Sequence, residues 1–137
     1  MAGLTKEEIQ HFIEARHEDR KSTFIIEEVG ARRARVRLLV DQRHLRHGDT
    51  VSGPALMALT DAATFFALLG EIGPVFDAVT SNLNINFLRK PAPVDIIAET
   101  RLLKIGKRLA FGEITLFSDG QDEPVAHATC TYSLPLK

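Results

Sequence analysis

The sequence predicts an α+β domain in which an antiparallel sheet of about six strands wraps around one long apolar helix. Three observations predict it. The run from Val51 to Gly70 carries a single charge, Asp61, and reads as a helix apolar on nearly every side, the pattern of a helix buried in a core or a membrane. Strand-like runs of alternating polarity lie on both sides of it, and the later ones follow at hairpin length, which implies antiparallel pairing. The chain of 137 residues is long enough for one domain with a real core. We therefore read residues 1–137 as one unit, with an extra N-terminal helix over about 4–17 and a core over about 23–134.

The elements follow in order. From Leu4 onward, Leu4, Ile9, Phe12 and Ile13 interleave with Lys6, Glu7, Glu8 and Glu14 as in an amphipathic helix, and Thr5 with Glu8 spells a capping box. Two strands are expected over Thr23–Val29 and Arg32–Val40, broken at Gly30. In the second, Ala34, Val36, Leu38 and Val40 share one face, and Arg33, Arg35 and Arg37 share the other, read as an exposed one. A polar loop, Asp41 to Thr50, leads into the apolar helix, where Ser52 suits the cap, Pro54 the first turn and Gly70 the far end. Beyond Gly73-Pro74, residues 78–88 alternate: Val79, Leu83, Ile85 and Phe87 against Thr80, Asn82, Asn84 and Asn86. Three further strands are expected over Val94–Leu103, Leu109–Ser118 and about Pro124–Leu134. Cys130 falls on the core-facing side of the last.

Composition narrows the function classes. A net charge of −1 with 26% charged residues argues against general nucleic-acid binding. The apolar stretch from Ala55 to Leu69 is short of the roughly 20 residues of a membrane span, and Thr60, Asp61 and Thr64 interrupt it. No secretory signal is visible and there is a single cysteine, so a cytoplasmic location is expected. His44, His47 and Asp49 lack the cysteines or helical histidine pair of a specific metal site, and no metal is expected.

A carboxylate on an apolar helix is costly unless it is hydrogen-bonded, neutralised or used for chemistry, which makes Asp61 the leading catalytic candidate. The helix start offers a second group. Its first N–H groups are unpaired and sit at the positive end of the dipole. Pro54 has no N–H, leaving Gly53 and Ala55. Gly53 and Asp61 are about 12 Å apart along one helix at 1.5 Å per residue, so one subunit cannot easily present both to one carbonyl. Thr80 could hold a water, Ser52 is foremost a cap, and the asparagine stripe headed by Asn82 suits a wet or subunit-facing surface. Arg46, Arg89 and Lys90, with Lys104, Lys107 and Arg108, offer cations for phosphate groups, against the alternative of solvated turn charges.

The stretch Gly-Asp-Thr-Val-Ser-Gly-Pro-Ala-Leu-Met-Ala-Leu-Thr-Asp, residues 48–61, carries a resemblance. With the element order from about Thr23 to Leu134, the chain resembles the hotdog-fold thioesterase superfamily, in particular small acyl-CoA thioesterases of the phenylacetic-acid-degradation (PaaI-like) type. The resemblance implies that Asp61 is the catalytic carboxylate, as general base or nucleophile, and that the Gly53 N–H polarises the thioester carbonyl across a dimer interface. It places Thr80 at the family's hydroxyl position. Where that family usually has His-Gly-Gly, this chain has Ser52-Gly53-Pro54, and Arg46 stands at the place of a frequent asparagine. The implied function is hydrolysis of an acyl-coenzyme A to free acid and CoA, in a homodimer or dimer of dimers. No cofactor is implied beyond the coenzyme A of the substrate. Arg46, Ser52, Asn82, Arg89, Lys90 and Arg108 are the candidate substrate-binding residues, with Phe65, Phe66 and Phe76 suggesting an apolar acyl tunnel. The alternatives are a non-catalytic acyl-CoA or lipid-binding hotdog protein and, less favoured because no histidine lies between His47 and His127, a hotdog hydratase.

Overall fold

A computed structural model describes residues 3–15 and 23–135. Helix α1, Lys6–Ala15, opens with the expected capping box: the Glu8 N–H donates to Thr5 Oγ1 at 3.1 Å and the Thr5 N–H to Glu8 Oε1 at 2.9 Å. Positions 16 and 17 of the expected helix lie outside the described residues. Strands β1 (Phe24–Gly30) and β2 (Arg33–Leu38) form a hairpin. Its turn is Ala31-Arg32, both with positive φ, so the chain reverses just past the Gly30 break. The Arg32 N–H donates to Glu71 Oε1 at 2.9 Å and ties the turn to the end of the central helix.

The expected polar loop is partly structured. A 3-10 turn (Gln42–His44) precedes the two-residue strands β3 (Leu45–Arg46) and β4 (Thr50–Val51), which pair with each other. Helix α2 runs Gly53–Ile72, longer than expected because Gly70 does not end it. Gly70 lies inside the helix, where a Cβ would come within 2.2 Å of Val29 Cγ2; its smallness lets α2 close on β1. The helix stops at Gly73, whose φ of 97° suits glycine, and the Gly73 N–H donates to the Leu69 carbonyl at 3.2 Å. By length and composition α2 could cross a membrane. Here it is the core helix: Leu56, Leu59, Ala63, Phe66, Leu68 and Leu69 are buried against the sheet. Thr60 and Thr64, also buried, satisfy their hydroxyls on the Leu56 and Thr60 carbonyls one turn back.

Strands β5 (Val79–Phe87), β6 (Ile96–Ile105), β7 (Leu109–Ser118) and β8 (Pro124–Ser133) complete a six-stranded antiparallel sheet of order β1-β2-β6-β7-β8-β5. This is the hotdog architecture of a long helix in a curved sheet, with α1 added. β5 and β6 are not a hairpin. Residues 88–95, carrying Pro91 and Pro93, lead the chain from the β5 edge to the sheet middle, where β6 pairs with β2. Among the described residues β5 pairs on one side only, with β8, and is an edge strand.

The arginine face of β2 is not a plain solvated face. Arg37 reaches Glu27 at 2.6 Å, Asp119 at 2.9 Å and Asp95 at 3.1 Å, while Arg35 bonds Glu27 and Glu99. These pairs join β1, β2 and β6 to the turn after β7. Burial works against the charged form of Glu27, but the bonds from Arg37 and Arg35 outweigh it and hold its carboxyl below the ordinary range. The bond from Arg37 does the same for Asp119. Carboxyls depressed in the folded state contribute stability that is present above their unfolded pKa and lost as pH falls through the folded one. We therefore expect Arg37→Met to cost about 1 kcal/mol at neutral pH, the upper range for partly exposed pairs. It should also flatten the acid loss of stability below about pH 4, where unfolded carboxyls titrate. Urea melts at several pH values would check it; wild-type and variant curves that stay parallel to low pH would refute the clamp.

Candidate functional site

Asp61 sits at the middle of α2, half-buried, on the one stripe of that helix the protomer leaves uncovered. Pro54, Met57 and Ala58 are exposed and Asp61, Ala62 and Phe65 only partly buried, positions that follow one another at helical spacing. One carboxylate oxygen is fully engaged: Asp61 Oδ1 accepts from Thr80 Oγ1 at 2.5 Å and from the Tyr132 hydroxyl at 2.8 Å. The same phenol lies 3.1 Å from the Asp61 carbonyl oxygen. Among the described residues, nothing donates to Oδ2. Two donors on one oxygen fix the carboxyl's rotation and leave the other oxygen as the basic one.

Thr80 reaches Asp61 because of a β-bulge. The β5–β8 register shifts between Thr80 and Asn82, so that Thr80 opposes Tyr132 while Asn82 opposes Thr131. Tyr132 and Cys130 are buried under the helix, and Thr131 is on the other face. The extra residue, Ser81, reverses the side-chain parity of the strand. Thr80 therefore joins Leu83 and Ile85 on the helix side. The expected stripe of Thr80 with Asn82, Asn84 and Asn86 is corrected: the three asparagines lie on the outer face, opposite Asp61. Asn82 is thus separated from the carboxylate within the protomer.

Tyr132 is the residue that sequence reasoning misses. Alternation groups it with Cys130 on the core side of the last strand, and it is indeed buried; its hydroxyl nonetheless ends on Asp61. Its ring stacks on Phe65, one turn after Asp61, at 5.9 Å between centroids. Burial pushes the phenol well above its ordinary range; the bond with Thr80 works against this, and the Asp61 carboxylate adds to it, so the group is a neutral donor. Nearby Cys130 is pushed up to about 11, chiefly by burial, and is a neutral core thiol. Of the expected tunnel phenylalanines, Phe66 belongs to the core. Phe76 stacks on Phe12 at 4.3 Å, and Phe12 leans on Phe65.

The start of α2 forms a second centre. Ser52 caps the helix, its Oγ accepting the Ala55 N–H at 3.2 Å. Ala55 is thereby removed as an oxyanion donor. Gly53 remains: its N–H has no partner among the described residues. A Cβ at Gly53 would meet only the Phe87 ring, at 3.5 Å, so packing in the protomer does not demand a glycine there. Beside it lies a cavity of about 510 Å³ lined by Arg46, Gly53, Phe87, Arg89 and Lys90 among others. Three of the six candidate substrate-binding residues thus meet at the glycine. Arg89 is already spoken for, by Glu123 at 2.7 Å and the Pro124 carbonyl at 3.1 Å, which leaves Arg46 and Lys90 as the cations of this group without a carboxylate partner among the described residues. Arg108 is not there. It lies in the β6–β7 turn, beside Leu109, which opposes Ser133, which in turn opposes Val79; that is the Thr80 end of the sheet. His44 of the histidine loop is taken up by Asp41, and no group of three or more His, Cys, Asp or Glu side chains among the described residues could hold a metal ion.

Comparison with known proteins agrees with this fold. A family model described as the thioesterase superfamily matches residues 48–125, from the loop before Gly53 through Asp61 and Thr80. A solved structure described as a putative thioesterase from Silicibacter sp. TM1040 is 38% identical, with a TM-score of 0.87 over 98% of this chain and 94% of that one. The phenylacetic acid degradation protein PaaI of Thermus thermophilus, solved as a mutant, is 25% identical, with a TM-score of 0.70 over 90% and 97%. A Pseudomonas aeruginosa protein named as a putative esterase is 32% identical over 73% of this chain and 74% of its own length.

The Ser52 cap makes a prediction separate from chemistry. Ser52→Ala should lower stability by about 1 kcal/mol, and Ser52→Asp should restore it, as expected for an N-cap. Thermal melts would check this; a loss of the same size in both variants would mean that the hydroxyl has another task.

Proposed function

The chain belongs to the thioesterase superfamily, and from that premise we propose that it hydrolyses acyl-coenzyme A thioesters at a site shared by two copies of the chain. One observation carries the proposal. The protomer holds a fixed carboxylate, Asp61, and an unpaired oxyanion donor, Gly53, on one helix but roughly 12 Å apart along it, each next to an uncovered surface.

A second copy joins the halves. The free edge of β5 runs from Thr80, beside Asp61, to Phe87, beside Gly53. Antiparallel pairing of two such edges about a two-fold axis sets the Thr80 end of one against the Phe87 end of the other. Asp61 and Thr80 of one chain then face the partner's Gly53. Exposed Val79, Phe87 and Met57 lie along the edge and the α2 stripe that this pairing would cover. The Arg108 turn of one chain also approaches the cavity holding the partner's Arg46 and Lys90, which would regroup the cations that one protomer keeps apart.

In that site Thr80 holds a water against Asp61. Asp61 Oδ2 takes a proton as the water oxygen attacks the thioester carbon, and the carbonyl oxygen becomes an oxyanion that accepts from the partner's Gly53 N–H. Collapse of the tetrahedral intermediate breaks the C–S bond, and the CoA thiolate leaves with the proton that Asp61 returns. Ser52, used as a cap, is spared a covalent role. A coenzyme A substrate fits a cytoplasmic protein.

Asp61→Asn should leave the fold and assembly unchanged and lower turnover of an acyl-CoA panel by at least about 10²-fold, the scale of a positioned base. Unchanged turnover would remove Asp61 from the reaction. If the wild type itself binds acyl-CoA and turns none over, the protein is a binding module, the reading favoured by Ser52-Gly53-Pro54.

Reversing both of these cations, Arg46→Glu with Lys90→Glu, should raise KM for acyl-CoA about tenfold at low salt. The same variant should leave a thioester lacking the nucleotide unaffected, because contacts remote from the carbonyl give uniform binding. The effect should shrink as salt rises. Equal losses on both substrates would place the phosphates elsewhere.

A further inference from the structure

We propose that Tyr132 is a positioning residue for the reaction: its hydroxyl, with that of Thr80, pins Asp61 Oδ1 and so assigns Oδ2 as the oxygen that takes the proton. The inference rests on the thioesterase reading of this site, although its geometry stands apart from it. Oδ1 is 2.8 Å from the phenol and 2.5 Å from the Thr80 hydroxyl. Thr80 is exposed on an edge strand, so its contact is open to water. Tyr132 is 5% exposed and gripped by Phe65. It is the rigid half of the pair, held on β8 in the interior, and it also touches the backbone of the residue it orients.

Two donors on one oxygen fix the rotation of the carboxyl, so this phenol aims Asp61 and leaves Oδ2 without a donor among the described residues. Around Asp61, α2 contributes Thr64 and Phe65, β5 contributes Thr80, and β8 contributes Tyr132 and Cys130. Cys130 and Tyr132 are the titratable neighbours among these, and both stay neutral throughout the acid range.

The chain has one tyrosine and no tryptophan, which makes the test specific. Tyr132→Phe should lower kcat about tenfold, the scale of one hydrogen bond to a charged group, with KM nearly unchanged. Biosynthetic replacement of tyrosine by 3-fluorotyrosine labels this ring alone, and its fluorine resonance should differ between the otherwise wild-type protein and Asp61→Asn. That isosteric protein carries the test should Tyr132→Phe fail to fold. A third readout needs no turnover. Tyrosine emission comes from Tyr132 alone and should differ between the wild type and Asp61→Asn, which replaces the carboxylate that the phenol touches.

An unchanged kcat in Tyr132→Phe, while Asp61→Asn is inactive, would overturn the role of Tyr132 and leave the thioesterase reading intact. An emission change in Asp61→Asn together with no turnover of any acyl-CoA by the wild type would sustain the Tyr132–Asp61 bond and sink the acyl-CoA reading instead. Emission and fluorine signals that Asp61→Asn leaves unchanged would overturn the inference whatever the activity.

Discussion

The requirement to cover a helix that is apolar all round governs this molecule. A helix like α2 cannot rest on a surface by one face, and the curved sheet answers by burying it along β1, β2, β6, β7 and β8. The close approach of Gly70 to Val29 and the glycine stop at Gly73 follow from the same demand. One sheet cannot close completely around a cylinder. The gap falls beside the edge strand β5 and leaves the stripe from Pro54 to Phe65 open. Asp61 lies in that gap, where a carboxylate costs least and can meet a substrate.

The bulge at Ser81 turns the gap into a site. Without it, strict alternation would put Thr80 with the asparagines on the outer face, and Asp61 would lose one of its two donors. A single inserted residue changes which face a side chain serves for the cost of one disrupted ladder position. Its place on an edge strand limits that cost, since β5 has only β8 to mismatch.

Much of this is legible in the sequence, and what is not has physical reasons. The all-round apolar run marks α2, and the lone charge between Val51 and Gly70 marks Asp61. The capping box at Thr5 and Glu8 and the cap at Ser52 read directly from local chemistry, because each partner lies within four residues. Alternation predicts the strands but not their register: period-two reading assumes no bulge, so it places Thr80 and Asn82 together. Gly70 reads as a helix end because glycine serves both as a stop and as a point of close packing. The choice depends on Val29, some forty residues away in sequence. Tyr132 is hidden for the same reason, as its partner lies 71 residues earlier. The arginine face expected to be exposed becomes an ion-pair cluster because Glu27, Asp95 and Asp119 arrive from three separate elements.

The two halves of the site differ in how they are built, and the difference suits their proposed tasks. The carboxylate half is held by side chains that converge from β5 and β8 on one oxygen, which fixes direction. The glycine half is backbone at a helix start, with the cap drawing off the Ala55 N–H and Pro54 contributing none, so a single donor is left. A donor that belongs to the main chain cannot rotate away, and an acid held at one oxygen cannot swing. Each half is therefore preorganised within the single chain, and in the proposed dimer the remaining freedom would be the relative placement of two copies. In the proposed dimer that placement would be set by hydrogen bonds along paired β5 edges, whose spacing is fixed by the backbone. Assembly would then position the reacting groups without further adjustment of either chain.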